Sequence, residues 1–343
     1  MKKIFFAMMA TAALASCSQD EVMDINQEAI GFGDAFVDNA ARAIDPSYST
    51  NKVTEFYVWG QLKGNAGNSV QLYKNAKVYS TKGTEVKGYN EPWWCDQVEY
   101  WIPSATYHFG AVANGTVGET LNTNGLPETI SYPATGITND GTSDLIWATP
   151  VDVTTNVSAQ PTGLTNNLVA FTFNHLLSKL YFEFENGMSE NSKYSYKVKD
   201  IKIAGVPASG TYTVSTKKWN STGSTTINFG NATNDDESTD AEIIAYSANQ
   251  TPVTSNYARM IIPCNQQLTV TFVKELYYDG NLIYTDANND GTTAPKFTSI
   301  NFTHEFIANG AYVLKVTMKQ ENEIKFTVNS VANWADGVDV KVN

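Results

Sequence analysis

Cys17 closes the run Leu14-Ala15-Ser16-Cys17. A small-residue run ending in cysteine is a lipobox, at which the cysteine becomes a lipid-modified N-terminus. The segment leading to it reads as an export signal. Lys2 and Lys3 supply positive charge, and Ile4–Ala15 is an apolar stretch of twelve residues, too short to span a bilayer as a helix. The other reading is an ordinary signal peptide with an incidental cysteine. If Cys17 is lipidated, the mature chain keeps two thiols, Cys95 and Cys264. In an oxidising compartment these could pair; buried free thiols are the alternative.

The remaining reactive residue types are sparse. His108, His175 and His304 are isolated, with no metal-ligand spacing between them, and His175 beside an apolar run reads as structural. No His-Glu-x-x-His, Gly-x-Ser-x-Gly or P-loop pattern is present, so the expectation is no enzyme, no metal and no cofactor. Asp286, Asn288, Asp290 and Gly291 follow the first half of a calcium loop, but Phe297 stands where the bidentate glutamate belongs. A polar turn is the better reading. Trp93, Trp94, Tyr100 and Trp101 gather aromatic rings. Such rings either stack on sugars, making a glycan site of Trp93, Trp94 and Trp101, or fill a β-domain core.

The formal charge of −12 argues against nucleic acid and anionic membrane surfaces, which need a basic patch. Arginine is nearly absent: twenty-one lysines accompany only Arg42 and Arg259. Arg42 lies in the small-residue stretch Asp-Asn-Ala-Ala-Arg-Ala-Ile-Asp over residues 38–45.

The body reads as strands. Leu180, Phe182 and Phe184 alternate with Lys179, Tyr181, Glu183 and Glu185; Tyr312, Leu314, Val316 and Met318 share a side, as do Ile324, Phe326 and Val328. This period of two marks half-buried strands. Runs rich in Gly, Asn, Thr and Ser separate them as turns. A short helix is expected at most near Asn174–Lys179 or Val331–Trp334. The class is all-β, as sandwiches with Greek-key-like connections. The polar run from Asn186 to Ser195 suggests a division into residues 43–190 and 191–343.

Several segments together resemble the fimbrillins, the FimA-like and Mfa-like pilin lipoproteins of Bacteroidetes. Ser18-Gln19-Asp20-Glu21 after the lipobox resembles their surface-export tag. An early strand over Ala29–Phe36 follows, then Ala41-Arg42-Ala43, then Phe56–Gly60. Trp101–Asn114, Ser143–Thr149, Phe171–Gly187, Ile201–Val214, Arg259–Phe272 and Ile324–Gly337 continue the ordered pattern over nearly the whole chain.

The resemblance implies two tandem transthyretin-like β-sandwich domains and a pilin function. It implies a signal peptide over 1–16, a propeptide over 17–42 lipidated at Cys17, and Arg-specific proteolysis between Arg42 and Ala43. Before cutting, the lipid would hold the precursor to the outer membrane; afterwards other pilin subunits would be the partners, in a fimbrium at the cell surface. The removable first strand would carry Ile30, Phe32 and Phe36 on one parity. Gly31 and Gly33 would weaken it. Residues 338–343, with Val338, Val340 and Val342 on one face, would be a donor strand or a last strand paired at home. A glycan-binding surface lipoprotein is the alternative function.

Overall fold

The computed structural model describes residues 28–37, 53–88, 91–189, 192–229, 242–244, 253–254, 258–286, 298–319 and 324–331. Among these there is no helix. The Asn174–Lys179 segment, where a short helix was expected at most, instead joins two strands directly.

The first strands are β1 (Gly31–Val37), β2 (Glu55–Lys63), β3 (Ser69–Tyr79), β4 (Thr106–Ala113), β5 (Ile146–Ala148), β6 (Val151–Thr155) and β7 (Leu168–His175). They form one sheet in the order β1-β7-β5-β4-β2-β3, with β6 also on β4 and Trp94–Cys95 beyond β3. Alternating apolar residues make one face of each strand dry. Phe56 and Val58 of β2, Tyr73 of β3, Tyr107 and Phe109 of β4, and Phe171 and Phe173 of β7 are all fully or almost fully buried in one cluster. The sheet curls until its ends meet: Phe32 of β1 packs edge-on against Tyr73 of β3, ring centroids 5.3 Å apart.

From residue 178 the strands are β8 (Ser178–Asn186), β9 (Tyr194–Val206), β10 (Ser209–Thr213), β11 (Lys218–Thr222), β12 (Gln267–Tyr278), β13 (Ala311–Met318) and β14 (Ile324–Val331). Two sheets face each other here. One carries β8 parallel to β13, with β14 outside it; the other is built on the long antiparallel pair β9–β12. Leu180, Phe182 and Phe184 of β8 and Leu314 and Val316 of β13 meet Val198, Ile203 and Phe272 across the gap. Phe184 and Phe272 pack edge-on at 5.8 Å. Alternation placed Lys179 and Tyr181 on a solvent face, but both are buried. Tyr181 packs with Ala258 and Val313 in a small cluster on the outer side of β8.

The first core runs to Phe173 and the second takes over from Leu180, with Leu176 and Leu177 between them. A third core bridges the halves. Trp59, Val112 and Trp147, on the outer face of the first sheet, pack with Leu176, Leu177, Tyr212, Met260 and Ile262. Over it lies a four-stranded sheet to which each half gives two strands: β10 pairs with β11 and with Thr129–Tyr132, which in turn pairs with Thr116–Val117. The Trp219 indole N–H donates to the Leu176 carbonyl at 2.9 Å. His175 is buried at this junction, hydrogen-bonded through Nδ1 to the Asp144 carboxylate.

Candidate functional site

The strand β1 and the groove it fills are the site that sequence pointed to. β1 lies at one end of the first sheet and runs parallel to β7, in the register Gly31↔Leu168 to Val37↔Phe173. Its other side is covered by the segment from Trp93 to Trp101. The Ile30 N–H donates to the Glu99 carbonyl at 2.8 Å, the Trp93 N–H to the Phe32 carbonyl at 2.8 Å, and the Trp101 N–H to the Glu28 carbonyl at 3.1 Å. The Asn167 amide donates to the Glu28 carboxylate at 2.8 Å.

Ile30, Phe32 and Ala35 are buried in the first core. The Phe32 ring lies between Tyr73, Phe109 and Phe171, at centroid distances of 5.3, 5.9 and 6.2 Å. Gly60 of β2 makes room for these rings, since a Cβ there would stand 2.9 Å from both Phe109 and Tyr73. Gly31 and Gly33 do more than loosen the strand. A Cβ on Gly31 would come within 2.6 Å of Leu168 Cδ2, and one on Gly33 within 3.0 Å of Leu168 Cδ1, so the Leu168 side chain lies directly against both bare positions.

The register shifts between Gly33 and Ala35, setting Ala35 opposite Phe171 and Phe36 opposite Thr172, because a bulge adds a residue that simple alternation does not count. Ala35, Leu168 and Gly60 went unread in the sequence; the Gly ending Phe-Tyr-Val-Trp-Gly was the one available signal. Cys17, Arg42, Ala43, Val338, Val340 and Val342 lie outside the described residues.

The groove's chemistry is that of main-chain hydrogen bonding and apolar burial. Burying side chains such as Ile30 and Phe32 is worth about 1.5–3 kcal/mol each. Each buried N–H or C=O left without a partner costs about 1–3 kcal/mol. An empty groove is therefore a strong sink for an extended segment with apolar residues at the right spacing.

The other chemical candidates are placed differently from expectation. Trp101 is fully buried and Trp93 is 6% exposed, both in the first core. Neither presents a ring to a sugar. Trp94 is half-buried, stacked on Tyr79 at 6.0 Å with the Lys87 ammonium 4.7 Å from its ring centroid. Cys95 and Cys264 are free thiols against different cores, and burial pushes the Cys264 thiol up to about 11. Asp286 is buried and accepts from the Lys274 N–H, the Tyr284 hydroxyl and the Thr298 hydroxyl, which commits its carboxylate to the fold. Asn288, Asp290, Gly291 and Phe297 lie outside the described residues. Among the described residues no three of His, Cys, Asp and Glu gather as metal ligands.

The family model described as fimbrillin-like matches residues 41–334. Among solved structures, the chain is similar to a fimbrial protein from Bacteroides vulgatus, at 16% identity and a TM-score of 0.59, covering 90% of this chain and 99% of that one. It is also similar to a candidate cell adhesion protein from Bacteroides uniformis, at 14% identity and a TM-score of 0.44, covering 89% and 97%. No curated protein matches the chain.

Proposed function

The chain belongs to the fimbrillin-like family, and from that premise we propose that it is a structural subunit of surface fimbriae, released for assembly by proteolysis. The precursor is exported as a lipoprotein, with Cys17 anchoring it to the outer membrane. An Arg-specific protease cuts between Arg42 and Ala43. The cut severs β1 from the body, and a strand from a neighbouring subunit takes its place.

The observation that carries this reading is the position of β1. It sits at the end of its sheet, joined to the body through the segment containing Arg42, and yet it fills the core with Ile30, Phe32 and Ala35. The matched family residues begin at 41, after β1. Residues 338–343, with Val338, Val340 and Val342, are the donor candidate. The reading goes with two domains, residues 43–190 and 191–343. The chain acts as a building element, and the reading assigns it no catalysis and no cofactor.

The test is N-terminal sequencing of surface-shed protein together with electron microscopy. The expected mature start is Ala43, in material that forms filaments and resists dissociation as ladders in gels. Arg42→Ala is expected to leave lipidated, monomeric precursor. Assembly of Arg42→Ala at the wild-type level would overturn the release step.

A further inference from the structure

The first sheet has two ends of unlike chemistry. At one end β1 and β7 begin, β6 finishes against the start of β4, and β2 turns back into β3. Gly31 pairs there with Leu168, Thr154 with Thr106, and Ser69 with Lys63. Three connections make up this pole, over residues 64–68, 100–105 and 156–167. None of them contains an aspartate, glutamate, lysine or arginine, in a chain that is 17% charged. Glu28, Glu99 and Lys63 stand at its rim. At the other end Glu55 of β2 pairs with Lys77 of β3 at 2.8 Å, and Lys82, Glu85 and Lys87 follow.

The uncharged pole also shows apolar side chains to solvent: Val157 is 81% exposed, Val70 53% and Tyr100 48%. Its loops are tied down. The Asn156 side-chain oxygen accepts from the Ser158 and Gln160 N–H groups at 2.9 and 3.0 Å. The Asn156 carbonyl accepts from the Ser104 N–H at 2.9 Å, which joins two of the connections, and the Gly64 N–H donates to the Asn68 carbonyl at 3.0 Å, which closes the third. A preformed face spares a partner the cost of ordering it, and the centres of protein interfaces are depleted of charged residues.

We propose that this pole seats the body of a second copy of the chain, the copy whose strand replaces β1. The proposal rests on the strand-exchange reading above and adds where the two bodies touch. A replacement that keeps the hydrogen bonds of β1 runs parallel to β7 and so starts at this pole. With residues 338–343 as the donor, only residues 332–337 separate it from β14 of its own body, which ends at Val331. Six residues span at most about 20 Å, so the donating body is drawn against the pole. Two chains of charge −12 repel each other, and contact through uncharged loops adds no like-charge pair to that cost. A membrane is a poorer occupant, because the three connections are rich in Asn, Gly, Ser and Thr, whose polar groups suit a wet protein contact better than hydrocarbon.

The experiment cuts the full chain after Arg42 with an Arg-specific protease and follows polymer growth at low salt by light scattering. A labelled peptide covering Glu28–Val37 reports on the groove separately, by exchanging into the cut chain. The wild type is expected to polymerise and to take up the peptide. Val157→Glu and Ala66→Glu each put a charge on an exposed loop position of the pole. Each should slow polymerisation about 10-fold, with recovery in high salt and unchanged peptide exchange. Val86→Glu, at a 60% exposed position of the other end, should polymerise as the wild type does. The proposal is overturned if both pole variants polymerise at the wild-type rate, if Val86→Glu slows polymerisation as much, or if the wild type exchanges peptide but never polymerises. Binding of the unlipidated full chain to phosphatidylcholine vesicles, abolished by Val157→Glu while polymerisation is unchanged, would assign the pole to a membrane and overturn it equally. A wild type that exchanges no peptide would refute the strand-exchange reading itself, and this proposal with it.

Discussion

His304 stands beside Phe306 and Tyr312, with ring centroids at 4.9 and 5.2 Å. Burial holds its imidazole below the ordinary value of 6.5, and the Glu305 charge opposes this only in part. The folded chain thus prefers the neutral ring, and as pH falls the unfolded chain takes up the proton first. The resulting stability is fully present above the ordinary value and is lost as pH drops through the lowered folded one. Urea midpoints measured at about pH 7.5 and about pH 5 should separate more for the wild type than for His304→Phe; equal separations would remove His304 as the cause. At this scale the sequence was only partly legible. It showed His175 as a structural residue, and its partner Asp144 lies thirty-one positions away. It showed a tryptophan cluster, but neighbouring tryptophans do not announce which way they face. Trp93 and Trp101 went inward and only Trp94 stayed near the surface.

At the scale of the element, β1 is held between β7 and the segment from Trp93 to Trp101. A chain begun at Ala43 should take up a synthetic peptide covering Glu28–Val37, visible as a raised melting temperature and as quenched binding of a hydrophobic dye. The same peptide with Phe32→Ala should bind far more weakly, because deleting a buried phenylalanine side chain costs about 3–5 kcal/mol. Equal uptake of both peptides would mean that main-chain pairing alone holds the strand. The strands with strict alternation were readable: Leu180, Phe182 and Phe184 all reach the second core. Bulges were not, since an inserted residue leaves composition untouched while reversing every later side chain. The register shift between Gly33 and Ala35 is the case in point.

At the scale of the molecule, the third core and its four-stranded sheet couple the halves. Two separate domains would have melted independently; here β10 and β11 of the second half shelter Trp59 and Trp147 of the first. Calorimetry should give one endotherm for the wild type and two for the double variant Tyr212→Ala, Trp219→Ala. Two endotherms in the wild type would show the coupling to be weak. The all-β class was legible from turn-rich breaks between short alternating runs. The bridging sheet was not, because it pairs Thr129–Tyr132 with Ser209–Thr213 across a long sequence separation that no local pattern records.

The hydrogen bond between Glu28 and Asn167 joins residues 139 positions apart. A chain made from its N-terminus therefore emits β1 long before its partner β7 exists. Contacts this remote in sequence close late, since the loop entropy must be met before they form. Until β7 is made the first core would lack its last wall, and β1 would dock onto a body otherwise finished. Severing the chain after Arg42 would then reverse the final step of folding rather than break into an early one, leaving the rest of the subunit in a shape it has already held.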